Sequence, residues 1–216
     1  MNNAEQTAID LLSMGAVFLR PREPFTWASG IRSPIYCDNR LTLGFPEARA
    51  RIETAIAQKV SEAYPDCEAL FGTATAGIAH AAIAAHILGL PMGYVRSSAK
   101  DHGRGNQIEG VTEGALTAGM KVVVVEDLIS TGGSVLDTVK VLQDAGANVL
   151  GVISIFTYGM KKAKRRFAEA HVRLESVTDF DTLIESAARI GAIDAGDLPR
   201  LRAFRDNPED TSWIVS

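Results

Sequence analysis

Two adjacent acids at the end of a run of valines carry the clearest chemistry in this chain. In Lys121 to Val135, KVVVVEDLISTGGSV, the valines Val122 to Val125 read as a short strand buried on both faces, because a strand with one wet face alternates apolar with polar residues. Glu126 and Asp127 stop the run. An unpaired carboxylate inside a sheet is costly, so the pair is expected at the strand's C-terminal end, where open α/β sheets bind their ligands. Ser130, Thr131, Gly132, Gly133 and Ser134 follow, small residues with hydroxyls and free N–H groups, and a helix beginning near Ser134 aims its positive end back at them. Acids can meet hydroxyls or a metal, and the turn can meet a phosphate, a combination that suits a ribose phosphate. A nucleoside triphosphate would require the lysine of GxxxxGK[ST] and a dinucleotide the pattern GxGxxG after the strand, and neither is present.

Two other stretches could serve the same ligand. GTATAG, Gly72 to Gly77, repeats the order of strand, small-residue turn and helix, which makes a second anion site. From Arg96 to Gly119 the chain keeps no sheet or helix period and carries Gly103, Gly105, Gly110, Gly114 and Gly119. Loops of this length in compact domains are functional lids or disordered. Lys100, His102 and Arg104 stand at alternate positions among the glycine hinges, an arrangement that suits a flap closing on a polyanion. A third stretch, Val17 to Arg40, mixes aromatics, three prolines, a glycine and both charges. Its flat side chains beside Arg32 fit either recognition of a flat anionic base or a cap packed on the sheet.

VVVVEDLISTGGS, Val122 to Ser134, resembles the phosphoribosyl diphosphate (PRPP) motif of the type I phosphoribosyltransferases, and FTWASGIRSPIYCDNR resembles the hood that covers the base in the orotate phosphoribosyltransferases. The likeness covers nearly the whole chain. It implies that Glu126 and Asp127 face the ribose 2- and 3-hydroxyls, that Ser130, Thr131, Gly132, Gly133 and Ser134 hold the 5-phosphate, and that Leu128 and Ile129 also lie among the PRPP contacts. It implies that Arg96, Lys100 and His102 meet the diphosphate, the last two as the catalytic residues, and that Tyr36 and Ser130 meet orotate. Mg²⁺ is the implied cofactor, held mainly by PRPP with help from Glu126 or Asp127. A flap shared between subunits implies a homodimer. The sequence departs from its relatives at three places: Ala76 and Ser97-Ser98 stand where many members have lysines, and Thr157-Tyr158 where some have an arginine. The competing readings are a PRPP-sensing regulator of the same fold, disfavoured by Lys100 and His102, and a purine or uracil phosphoribosyltransferase, disfavoured by the hood.

The elements that must position these residues follow from periodicity. Helices are expected over Asn3 to Gly15, Phe45 to Ala63, Ile78 to Leu88, Val135 to Gly146, Lys161 to His171, Thr182 to Ile190 and Leu198 to Arg205. Strands are expected over Glu68 to Gly72, Pro91 to Val95, Asn148 to Phe156 and Val172 to Val177, and a hood hairpin pairs Phe25 to Ala28 with Ser33 to Cys37. Alternating strands and helices predict an α/β fold with a mainly parallel sheet covered on both faces. A chain of 216 residues fits one such domain, with positions 1–40 as N-terminal helix and hood and 41–216 as core, the flap at 96–119.

A net charge of −4 argues against general nucleic-acid binding, which leaves a basic footprint. The run KKAKRR, Lys161 to Arg166, reads as the wet face of a helix rather than a phosphate or RNA patch. Cys37 and Cys67, with no CxxC, suggest neither a disulfide framework nor zinc. His80, His86 and His171 read as structural. Ala76 to Val95 is long enough to span a bilayer, but two histidines and Pro91 favour a buried helix. The start, MNNAEQTAID, has no basic and apolar leader pattern, so the cytoplasm is the expected location.

Overall fold

The computed structural model describes residues 1–27, 30–96, 107–112, 114 and 116–214. Ala28, Ser29, Ser97, Ser98, Lys100, His102 and Arg104 therefore lie outside the described residues. In chain order the elements are α1 (Asn3–Ser13), β1 (Val17–Leu19), β2 (Phe25–Thr26), β3 (Arg32–Ser33), β4 (Ile35–Cys37), α2 (Pro46–Ala63), β5 (Ala69–Thr73), α3 (Ala76–Leu88), β6 (Met92–Val95) and β7 (Ile108–Glu109). They continue with β8 (Lys121–Ile129), α4 (Gly133–Asp144), β9 (Asn148–Thr157), α5 (Lys161–Glu169), β10 (Leu174–Asp179), α6 (Phe180–Arg189) and α7 (Leu198–Asp206). The main sheet has the order β10-β9-β8-β5-β6-β7, parallel except for β7.

The four valines of β8 lie near the middle of this sheet and divide between its faces. Val123 and Val125 pack with Leu11, Ile52, Ile56, Ala84 and Leu183, while Val122 and Val124 pack with Val135, Val139, Leu142 and Phe167. All four are fully buried. Each such side chain contributes about 1.5–3 kcal/mol relative to an exposed one. One face is thus covered by α1, α2, α3 and α6 and the other by α4 and α5. Asp179 caps α6, accepting from the Thr182 N–H at 2.8 Å.

Two expectations change. The strand does not stop at the acids: β8 runs on to Ile129, pairing Glu126 with Ser154, Leu128 with Phe156 and Ile129 with Thr157 of β9. On its other side the pairing with β5 ends at Val125, where β5 gives way to the 72–77 turn. The acids therefore lie within the strand, on the flank that β5 leaves open. The hood also differs. Phe25 pairs with Ser33 and Thr26 with Arg32, but Ile35 to Cys37 pairs with β1 instead. Pro34 separates the two short strands, because it has no N–H to donate and offers only its carbonyl, to Arg20 at 2.7 Å.

Candidate functional site

The acids, the turn after β8 and the 72–77 turn meet at the C-terminal end of the sheet. Glu126 is buried and lies beside Asp127. Burial first, and then the Asp127 carboxylate, push its carboxyl from an ordinary 4.5 up to about 8. Near neutral pH this acid keeps a proton in the folded protein that the unfolded chain has already released.

This has a measurable consequence. The raised group favours the folded state fully below about pH 4.5, and that contribution is lost as pH rises through about 8. Glu126→Gln, which mimics the protonated form, is expected to melt higher than the unsubstituted protein, with the gap widening from pH 5 to 8. In a domain of this size each kcal/mol appears as about 2–4 °C. A gap that does not vary with pH would mean that Glu126 ionises normally.

The turn that follows is a cleft of about 110 Å³ lined by Glu126 and by Leu128 to Val135. That is room for a phosphate group in place of several waters, each of which takes about 30 Å³ in the liquid. Gly132 precedes α4 with φ +76°, a conformation that favours glycine. Ser130 and Thr131 are half-buried along the cleft. Ile129, expected among the PRPP contacts, turns its side chain into the core at 1 % exposure. What it can offer a ligand is main chain.

The second turn is held close to β8. A Cβ on Gly77 would lie 2.4 Å from the Val125 carbonyl oxygen, so only glycine lets α3 approach the strand here. Of the two threonine hydroxyls in this turn, that of Thr73 is buried and donates to Val125 O at 3.4 Å, while Thr75 is exposed. Arg96 follows β6 and shares a cleft with Ala74, Gln107, Ser134 and Asp137, which places it opposite the start of α4. Its Nη1 is 3.8 Å from Glu109.

The hood stands beside the acids. Tyr36 is 44 % exposed, its ring centroid 5.9 Å from that of Phe25, and the Arg20 guanidinium lies 4.8 Å over Phe25. Trp27 packs edge-on against Tyr158 and Phe204. Tyr158, where some relatives carry an arginine, is buried in that cluster, and Thr157 donates to Ile129 O at 3.4 Å. Arg32 is exposed on β3.

Three residues here escaped the sequence reading. Asn39, fully buried, donates from Nδ2 to the Asp127 carbonyl at 2.7 Å, and its Oδ1 accepts from Cys37 Sγ at 3.1 Å. It ties the hood to the acid pair. Removing a buried donor of this kind costs about 1–3 kcal/mol. Asn39→Ala is expected to lower the unfolding free energy in urea by that amount, and Asn39→Asp, which keeps the size and loses the donor, by at least as much. A loss under about 0.5 kcal/mol in both, the lower end for a typical hydrogen bond, would remove the tie. The other two are Arg20, over Phe25, and Arg166, from the basic run on α5, whose Nη1 donates to Thr131 O at 3.2 Å and to its hydroxyl at 3.3 Å.

The rest of the basic run, Lys161, Lys162, Lys164 and Arg165, is exposed as expected. His80 is structural, buried between α2 and α3 with Nδ1 2.5 Å from Glu53 Oε1. His86 and His171 are exposed. No helix among the described residues is long and apolar enough to cross a membrane.

The phosphoribosyl transferase domain family matches residues 45–185. The chain is 58 % identical to the orotate phosphoribosyltransferase of Bacillus subtilis over 204 residues, covering 94 % of this chain and 93 % of that one. It is 53 % identical to that of Listeria innocua, covering 97 % and 98 %. Its fold is similar to the crystal structure of orotate phosphoribosyltransferase from Aeropyrum pernix, with a TM-score of 0.71, 32 % identity, and coverage of 86 % and 98 %.

Proposed function

Since the chain belongs to the phosphoribosyltransferase family, and within it to the orotate phosphoribosyltransferases, we infer that it transfers the 5-phosphoribosyl group of PRPP to orotate. The products are orotidine 5-phosphate and diphosphate, a step of pyrimidine nucleotide synthesis. The observation that carries this reading is the acid pair on the open flank of β8 with the phosphate cleft that follows it, beside the hood, in a chain matched along 94 % of its length.

The mechanism follows from the groups present. Orotate attacks the anomeric carbon as an anion, so a strong general base is not required. The demand falls on the positive sugar and on the charge gathering on the departing diphosphate. In our reading Glu126 and Asp127 accept from the ribose 2- and 3-hydroxyls, and the main chain and hydroxyls of Ser130 to Ser134 hold the 5-phosphate. Arg96, Lys100 and His102 meet the diphosphate, and Tyr36 and Ser130 meet orotate.

Two oxygen acids on the open flank of β8, one of them holding a proton that a divalent cation would displace, are donors that fit Mg²⁺. When bound, that ion offsets diphosphate charge, and Glu126 and Asp127 are the side chains here that would help to hold it. Closure of the 96–119 segment over the substrates would exclude water, and we place its reach across a homodimer. The cytoplasm is the compartment we assign.

The reading is tested by the fall in orotate absorbance when the protein is mixed with PRPP, Mg²⁺ and orotate, beside adenine, uracil and hypoxanthine. Turnover of orotate alone is expected. PRPP binding without turnover of any base would replace the reading with a sensing role, and turnover of another base would move its specificity.

A further inference from the structure

The basic run on α5 is not wholly a solvated face. Helical spacing turns its last member, Arg166, and the adjacent Phe167 toward the turn after β8, while the other cations point to solvent. Arg166 is half-buried and donates two hydrogen bonds to Thr131, one to the carbonyl and one to the hydroxyl. A Cβ on Gly133 would sit 3.0 Å from its Nη1, so the guanidinium lies against the first residue of α4. Among the described residues no carboxylate lies within ion-pair distance of it, whereas neighbouring Arg165 reaches Glu169 at 3.7 Å.

Two positive ends therefore meet at one turn. The N-terminus of α4 carries about half an elementary charge from its unpaired N–H groups, and the guanidinium adds a full one. They repel each other, and a group of charge near −2 placed in the cleft relieves both. Arg166 is not itself among the residues that line the cleft but donates to Thr131, which is, so its action on a ligand there runs through the turn and through its field.

We propose that Arg166 is a positioning residue for the 5-phosphate, fixing the Thr131 peptide and supplying the charge that the turn itself lacks. The proposal rests on the functional reading above. It carries a signature that a general structural role lacks, because two of the four reactants, PRPP and orotidine 5-phosphate, bear the 5-phosphate, and two, orotate and diphosphate, do not.

The experiment measures all four KM values, running the reaction forward from PRPP and orotate and backward from orotidine 5-phosphate and diphosphate. It uses the unsubstituted protein, Arg166→Gln and Arg166→Lys, each checked by thermal melting. Loss of one charge-assisted contact predicts that Arg166→Gln raises KM for PRPP and for orotidine 5-phosphate roughly tenfold. KM for orotate and diphosphate should stay within about twofold, and kcat should move less than KM. Arg166→Lys, which keeps the charge, is expected to recover most of the loss. Should Arg166→Gln not fold, Arg166→Met serves as the charge-free variant. Equal shifts in all four constants, no shift in any, or a lysine variant no better than glutamine would overturn the proposal. An unsubstituted protein that does not turn over orotate would instead overturn the functional reading.

Discussion

A valine at position 132 is expected to lower kcat/KM for PRPP by at least about 10³, because one substitution misplaces several phosphate donors at once. Gly132 has φ +76°, where a β-branched residue is a rare and strained occupant. A Cβ there would also lie 2.8 Å from the Phe167 ring, which is buried at 4 % exposure and cannot swing aside. The turn must therefore move away from α5. Misplacement of about 1 Å costs on the order of 10²-fold in a positioned site, and each lost donor adds to that. The strained backbone also costs about 1–3 kcal/mol of stability. Gly132→Ala keeps the contact with Phe167 and relaxes the branching, so it should lie between the two. Steady-state kinetics with PRPP titration by calorimetry would decide the matter. A valine variant within tenfold of the unsubstituted protein would mean that the phosphate is not held at this turn.

The turn shows what a sequence can and cannot disclose. Four valines, two acids and five small residues in order describe a strand that leads to an anion site, because each residue type has a local reason to be there. The overrun of β8 to Ile129 was hidden for a nonlocal reason. It depends on β9 continuing alongside to Thr157 after β5 has turned away, and the pairing partner of a strand is not written in its own residues. Asn39 was equally silent, a single amide among the mixed residues of the hood that reaches an acid 88 positions away. The basic run concealed Arg166 in a different manner. Six residues of which five are cationic suggest a wet face, yet the apolar positions Ala163 and Phe167 fix which side of α5 is buried, and that phase carries Arg166 inward. The signal was present in the helical spacing. It became legible only once α5 was known to lie over the turn. Which threonine of the 72–77 turn is exposed was also unreadable, because it depends on how closely Gly77 lets α3 approach β8.

Lys100→Ala is expected to reduce kcat by about 10² to 10³ while KM for PRPP changes less than tenfold, because the charge this lysine would meet grows mainly as diphosphate departs. Lys100 lies outside the described residues, and the case for it comes from what the described ones offer the leaving group. At the 72–77 turn the side chains are Thr75, which is exposed, and Ala76, where many relatives carry a lysine. Thr73 is buried, with its hydroxyl turned to the Val125 carbonyl and the Glu126 carboxyl. Arg96 is the cation facing the cleft at the start of α4, and it is drawn toward Glu109. Ser97 and Ser98 replace a further lysine of the relatives. With two of the usual cations missing, the proposed mechanism leaves the charge developing on diphosphate to Lys100 and His102, with a larger share on each than in a site with all of them. Lys100→Arg should restore part of kcat, since it keeps the charge with altered reach. His102→Ala should cost less than Lys100→Ala at pH 8, where an ordinary histidine is mostly neutral. Single-turnover measurements separate the chemical step from product release. A full loss expressed as a higher KM at constant kcat would assign Lys100 to holding PRPP in the ground state, and a loss under tenfold in both would return the leaving-group role to Arg96.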